Sequence, residues 1–302
     1  MSKEYALKTQ GLTKSYGEVR ALRGVDLDVR QGEIFGFLGP NGAGKTTTIR
    51  CLLDLIRPDS GTVQVLGIDP QADPVAVRSQ VGYLPGELSL EDNLSVEGQL
   101  RYFKDLRGNK LDWAFVEQLA RRLELDLRRA IKNLSKGNKQ KVGVVQALMH
   151  RPKLLMMDEP TSGLDPLMQQ EVYRLLREAQ ADGATVFFSS HIISEVEALA
   201  ERVAIIREGV IIEEAEPQRL IRMALRRVQV RFKEPVDPKS LAEVDGISLL
   251  EESNGIHVRL QVAGEMDGLI KALAAFPVVD FDVERPSLEE IFLTYYKGQE
   301  VQ

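Results

Sequence analysis

The run Gly39-Pro40-Asn41-Gly42-Ala43-Gly44-Lys45-Thr46 has the spacing Gly-x-x-x-x-Gly-Lys-Thr, and Thr47 follows it. It lies between an apolar run and a helical pattern. Glycines so placed let backbone N–H groups turn inward around phosphate oxygens, and a helix beginning at Lys45 adds its positive N-terminal end. Lys45 can reach β- and γ-phosphates, and the Thr46 hydroxyl can ligate Mg²⁺. A carboxylate pair, Asp158-Glu159, ends the apolar run Leu154-Leu155-Met156-Met157. One carboxylate can hold Mg²⁺ through water while the other polarises an attacking water. His191 closes the next apolar run, Thr185-Val186-Phe187-Phe188 followed by Ser189-Ser190. A histidine at a strand end is commonly a plain surface group. Here its place beside Asp158-Glu159 in the strand order favours a hydrogen-bond donor to a γ-phosphate. Together these residues point to a nucleoside triphosphate split by water.

Such groups need a frame that holds them at one edge. Ile34-Phe35-Gly36-Phe37-Leu38, Leu154 to Met157 and Thr185 to Phe188 are continuous apolar runs that stop at polar groups. That pattern predicts buried parallel strands whose carboxyl ends line a crevice. Tyr5 to Thr9 and Val25 to Val29 alternate and predict half-buried antiparallel strands. From Val96 to Ala130 the pattern is helical and charge-rich, predicting three helices in that stretch, which belongs to a helical insertion of about residues 88–150. The texture changes near residue 216. Val228, Val230 and Phe232 alternate with polar neighbours, as do Ile256, Val258, Leu260 and Val262, while Met266 to Phe276 has helical spacing. Pro286-Ser287-Leu288-Glu289-Glu290 opens a last helix through a capping box, with Ile291, Phe292, Tyr295 and Tyr296 on one side. The expected division is therefore an α/β domain over residues 1–215 and a small α+β domain over residues 216–302.

The chain has 302 residues, 45 acidic against 39 basic side chains, a net charge of −6 and one cysteine. Disorder is excluded by the 43% apolar content, and no apolar run approaches the roughly 20 residues of a membrane-spanning helix. The acidic balance speaks against a nucleic-acid-coating surface. The N-terminus opens no apolar signal core. Cys51 alone forms no internal disulfide, which fits a reducing cytosol, and its place on the helix after the phosphate loop suggests an inert buried residue. Asn138-Lys139-Gln140-Lys141 lacks the Asp that would complete a guanine reader.

The order of motifs narrows the class further. After the phosphate loop come Asn133-Leu134-Ser135-Lys136-Gly137-Asn138-Lys139-Gln140, then Asp158-Glu159, Ser162-Gly163-Leu164-Asp165, and Ser189-Ser190-His191. From about Tyr5 to Val210 the chain resembles the ATP-binding cassette (ABC) ATPases. The resemblance implies a mixed sheet core with an antiparallel β subdomain and a helical subdomain, followed here by the α+β tail. It also implies a head-to-tail pair of cassettes, with Ser135 and Gly137 of one chain contacting the γ-phosphate held by the other. A homodimer is favoured over a heterodimer. By the same match Tyr16 stacks on adenine, Glu159 is the general base, and Asp165 tunes the dimer seam. The signature departs from the family pattern at Lys136 and Asn138 but keeps Ser135 and Gly137. The loop Val81-Gly82-Tyr83-Leu84-Pro85 ends in a Gln in the family, and here Gly86 stands in that place, with Glu87 next. Glu87 is either a metal-side acceptor or a solvated loop acid.

The helical insertion is where transporter cassettes receive a coupling helix, so the resemblance implies a motor at the cytoplasmic face of the membrane, serving a separate integral-membrane permease. No nucleic-acid partner is implied. The tail motif Arg285-Pro286-Ser287-Leu288-Glu289-Glu290-Ile291-Phe292 resembles that of the daunorubicin-type multidrug export ATPases. Export of a drug-like or lipophilic compound, with ATP and Mg²⁺, is the resulting expectation. An importer motor and an iron–sulfur-assembly ATPase are the alternatives.

Overall fold

The structure, a computed structural model, describes residues 5–108, 111–217, 226–237, 241, 244–263 and 265–284. The chain divides into two compact units, Met1–Ala215 and Glu216–Gln302.

The first unit is built on a six-stranded sheet in the order β5-β6-β7-β3-β8-β9. Its strands are β3 (Ile34–Leu38), β5 (Val81–Leu84), β6 (Leu154–Asp158), β7 (Thr185–Ser190), β8 (Arg202–Arg207) and β9 (Val210–Ala215). All neighbours run parallel except the β8–β9 pair. Every residue of β3, β6 and β7 is buried, as their unbroken apolar composition requires of strands covered on both faces. Phe187 packs between Phe35 and Phe37, with ring centroids 6.0 and 5.5 Å apart. The sheet is mixed, and its chemistry gathers at the carboxyl ends of three adjacent strands.

A second, antiparallel sheet has the order β2-β1-β4, formed by β1 (Tyr5–Tyr16), β2 (Val19–Arg30) and β4 (Ser60–Val65). β1 and β2 are longer than the alternation over Tyr5–Thr9 and Val25–Val29 predicts. Register shifts interrupt the alternation along the pair, so the outer halves lose the period-two signal while still pairing as far as Tyr16 and Val19. Val81–Leu84 is likewise a strand rather than a loop, paired in parallel with β6.

Among the described residues, the stretch from Val96 to Ala130 holds two helices, not three: α3 (Val96–Leu106) and α4 (Trp113–Arg122). The reason lies at Glu124, which takes a left-handed φ of 52°, while Leu125 N donates to Ala120 O at 2.9 Å. That geometry ends α4 and turns the chain before another helix can form. The remaining helices are α1 (Lys45–Leu52), α2 (Pro74–Gln80), α5 (Lys136–Leu148), α6 (Pro166–Ala181) and α7 (Ile193–Leu199). Among the described residues, no helix is long and apolar enough to cross a membrane.

The second unit is a four-stranded antiparallel sheet in the order β11-β12-β10-β13, with β10 (Arg226–Phe232), β11 (Ile247–Ser253), β12 (His257–Val262) and β13 (Val278–Glu284). Val228, Val230, Val258 and Leu260 point to one side and pack with Leu269 and Leu273 of α8 (Asp267–Leu273). The alternation predicted for these strands is therefore a buried face and a wet one. Ile256 sits in the turn before β12. The capped helix expected from Pro286 onward, with Ile291, Phe292, Tyr295 and Tyr296, lies outside the described residues.

Candidate active site

Sheet register brings the three chemical segments together. Leu38 lies opposite Ser190, and Asp158 opposite Ser189, so the residues that follow β3, β6 and β7 emerge side by side. Gly39 begins the loop with its N–H donating to Ser190 O at 3.2 Å. Only glycine fits there, because a Cβ at Gly39 would lie 2.3 Å from Ile206 O. Pro40, Asn41 and Gly42 are exposed, Ala43 and Gly44 are buried, and Thr46 and Thr47 are half-buried. Gly44 caps α1 with a φ of 113°, a conformation that L side chains resist, and a Cβ there would meet Ala21 O at 2.8 Å. The loop thus opens onto solvent at its tip and is locked at both ends.

Lys45 is buried, and its ammonium donates to Gly39 O at 2.6 Å and Pro40 O at 3.1 Å across the loop. Burial lowers its pKa, opposed by the negative charges of Glu159 and Asp158, which act to raise it. Thr46 Oγ1 donates to Asp158 Oδ2 at 2.7 Å, and Ser189 Oγ donates to Asp158 Oδ1. A buried carboxylate beside a half-buried hydroxyl offers the hard oxygen donors that Mg²⁺ takes. Among the described residues, no cluster of three or more His, Cys, Asp or Glu side chains could hold a metal ion by itself. The donor set fits an ion that completes its shell with phosphate oxygens and water.

Glu159 follows β6 with a φ of 53°, and its N–H is shared between Ser189 O and Ser189 Oγ, each at 3.2 Å. A left-handed, non-glycine residue at this point marks a backbone that the surroundings hold in place. Gln140 on α5 donates from Nε2 to Glu159 O at 2.9 Å. His191 Nδ1 lies 2.9 Å from Glu159 Oε1, and both side chains reach solvent.

The signature residues sit at the start of α5. Ser135 is its exposed N-cap, accepting from Asn138 N at 3.3 Å, so the helix presents its positive end there. Gly137 packs so closely on the turn before α6 that a Cβ would come 2.5 Å from Gly163 O. Asp165 caps α6, accepting from Leu167 N and Met168 N at 3.1 Å each. Tyr16 ends β1 with 47% of its surface exposed, and the Lys14 ammonium lies 5.8 Å from its ring centroid. Glu87 is exposed and forms no ion pair or side-chain hydrogen bond within the described residues. Its neighbour Gly86 is what faces the site: a Cβ there would stand 3.0 Å from Asp158 Oδ2. Cys51 is buried, and burial pushes its thiol up to about 11.

Sequence reasoning missed Glu195. This buried carboxylate on α7 accepts from Thr161 Oγ1 through one oxygen and from Ser190 Oγ through the other. Thr161 follows Glu159 by two positions and Ser190 precedes His191, so Glu195 ties the segments that carry Glu159 and His191 to one anchor. Its only sequence signal is a lone acid near the start of a short helix, which reads as solvated.

The family model of ABC transporters matches residues 22–162, and that of the DrrA1-3-like ATP-binding protein C-terminal domain matches residues 218–296. The daunorubicin resistance ATP-binding protein DrrA3 of Streptomyces coeruleorubidus is 31% identical over 299 residues, 95% of each chain. The chain belongs to the DrrA-like family of ABC transporter ATP-binding subunits. The bacitracin transport ATP-binding protein BcrA of Bacillus licheniformis is 39% identical over 215 residues, 69% of each chain. A solved ATP-binding subunit of an ABC transporter superposes with a TM-score of 0.66 at 31% identity, covering 72% of this chain and 92% of that one. As a DrrA-like cassette the protein is an ATPase whose hydrolysis of ATP is coupled to transport.

Proposed function

We propose that this DrrA-like subunit powers export of a drug-like or lipophilic compound through a separate membrane permease, as one half of a head-to-tail pair of identical cassettes. The observation that carries the hydrolytic half of this reading is the convergence of Thr46–Asp158 at 2.7 Å and Glu159–His191 at 2.9 Å on the edge that begins the phosphate loop. The export half is supported by the near full-length likeness to the daunorubicin resistance proteins.

The phosphate loop N–H groups and Lys45 hold the β- and γ-phosphates, and Tyr16 stacks on adenine. Mg²⁺, held by Thr46 and Asp158, supplies charge neutralisation on the phosphates when bound. Glu159 takes the proton of the attacking water. A carboxylate only accepts, so the hydrogen in the His191–Glu159 contact sits on His191 Nδ1. In the neutral ring Nε2 is then an acceptor. For Nε2 to donate to the γ-phosphate, His191 must be an imidazolium or leave Glu159 and change tautomer. Ser135 and Gly137, at the positive end of α5, meet the γ-phosphate on the partner cassette. Glu87, by its exposure, is a solvated acid rather than a metal ligand. The second unit is an accessory regulatory domain.

The permease reading has a fitting surface. A groove of about 210 Å³ runs between the end of α1 and α3, with Leu53, Leu55 and Phe103 as apolar walls and Arg78 and Arg107 beside them. The volume suits one or two apolar side chains on the face of a short amphipathic helix. The test is ATP-driven movement of a lipophilic fluorescent dye into inverted membrane vesicles containing this chain and its co-purifying membrane protein. Accumulation that disappears without either protein is the expected result. Movement only in the opposite direction overturns export, and none at all overturns the transport role.

A further inference from the structure

A second cavity, of about 430 Å³, lies at the other edge of the sheet from the phosphate site. Lys153 and Ala184, which precede β6 and β7, border it, whereas Glu159 and His191 follow the same strands. At about 3.3 Å per residue the two sites are roughly 20 Å apart along β6. Phe115 and Leu119 of α4, Leu148 of α5 and Leu175 of α6 supply apolar walls. The volume falls within the range of small-molecule sites, roughly 300–1,000 Å³.

The charges around the cavity are almost all spoken for. The Arg151 guanidinium stacks 3.8 Å from the Phe115 ring centroid and pairs with Asp182 at 3.5 Å. Glu178 is engaged by Arg122, with Nη2 to Oε1 at 2.8 Å, and Arg122 also reaches Glu171 at 2.6 Å. Lys153 is the exception: it is exposed and its ammonium forms no ion pair or hydrogen bond within the described residues. A chamber with apolar walls, whose bordering charges pair off except for Lys153, is complementary to a ligand with an apolar body and one negative charge. Arg122 joins α4 to α6, and Arg151 joins α4 to the turn after α6.

We propose that this cavity is a binding site for an amphipathic monoanion, an aromatic or branched-alkyl carboxylate, whose body lies between α4 and α6 and whose carboxylate pairs with Lys153. This site goes beyond the transport reading and does not depend on it. An occupant would add packing between α4, which belongs to the helical insertion, and α6, which belongs to the sheet core.

The probe is 2-naphthoate, titrated calorimetrically into the full chain without nucleotide, beside its neutral analogue 2-naphthalenemethanol. The expected result is saturable binding of 2-naphthoate at one site and weaker binding of the alcohol. Lys153→Glu should weaken 2-naphthoate about tenfold and leave the alcohol unchanged, since reversing a rim charge removes an attraction and adds a repulsion. Ala179→Phe, placed on the cavity wall, should abolish both. A circular-dichroism melt of each variant confirms that it is folded; Lys153→Gln replaces Lys153→Glu, and Ala179→Leu replaces Ala179→Phe, where either is not. No binding of 2-naphthoate, equal binding of acid and alcohol, or 2-naphthoate binding unaffected by either cavity substitution would each overturn the proposal. ATP turnover plays no part in this readout, so failure here is distinct from failure of the ATPase.

Discussion

A Cβ built on Gly137 would lie 2.5 Å from the carbonyl oxygen of Gly163. The start of the signature helix is thus seated on the turn that follows the Asp158-Glu159 strand, with no room for even a methyl group. The contact is backbone to backbone, so relief requires moving one segment away from the other. Gly137→Ala should therefore leave ATP binding within about twofold and reduce ATP turnover by at least about tenfold, since a misplacement near 1 Å costs up to about 100-fold. Equilibrium nucleotide binding and phosphate release check the two halves. Unchanged turnover would show that the seat of α5 does not matter to hydrolysis.

Glu159→Gln should preserve the fold and ATP affinity while slowing phosphate release by at least ~10²-fold, the usual scale of general-base loss. The amide cannot take the proton of water. Because the nucleotide then persists, the same variant should form a dimer at saturating Mg-ATP, seen by sedimentation velocity. Normal phosphate release refutes the base assignment, and a monomer at saturating Mg-ATP refutes the paired cassette.

Loss of Glu195 has two readouts. Glu195→Ala removes the buried acceptor of the Thr161 and Ser190 hydroxyls; Ser190 Oγ keeps Ile192 O at 3.3 Å, so the cost falls chiefly at Thr161, about 1–3 kcal/mol. The thermal midpoint should fall. A structural role alone stops there. If Glu195 also aligns Glu159 with His191, kcat falls while KM for ATP holds, and Glu195→Gln, which keeps one acceptor oxygen, recovers part of the rate. A variant with lowered stability and normal kcat would confine Glu195 to the fold.

His150 makes stability depend on pH. Burial, reinforced by the Arg107 guanidinium, pushes its pKa down to about 4, against a hydrogen bond with Val81 O that acts to raise it. Between pH ~6.5, the ordinary histidine value, and about 4 the unfolded chain takes up a proton that the folded chain refuses. The stability held by neutral His150 is thus complete above pH ~6.5 and is lost as the pH falls through that window, by at most about 3 kcal/mol. In urea unfolding, the stability difference between the wild type and His150→Gln should shrink from pH 7.5 to pH 5. A difference constant with pH would sink this assignment.

The parts legible in the sequence are those that a few neighbouring residues dictate. The glycines and Lys45 of the phosphate loop, the apolar strands β3, β6 and β7, and the cap at Ser135 are local matters of backbone freedom, burial and unpaired N–H groups. Pattern order along the chain was enough to suggest the family. The number of helices after Val96 was not legible, because the signal ending α4 is a left-handed Glu124, a residue type without a turn signature. The outer halves of β1 and β2 were hidden by their register shifts.

Tertiary structure alone decided which side chains meet. Thr46 and Asp158 are 112 positions apart, and only the parallel order of β3, β7 and β6 brings them within a hydrogen bond. The same register turns Gly86, rather than Glu87, toward Asp158, and joins Glu195 to the segments that carry Glu159 and His191. Composition and spacing set what each segment can do; long-range pairing, which no local pattern encodes, sets what each one faces.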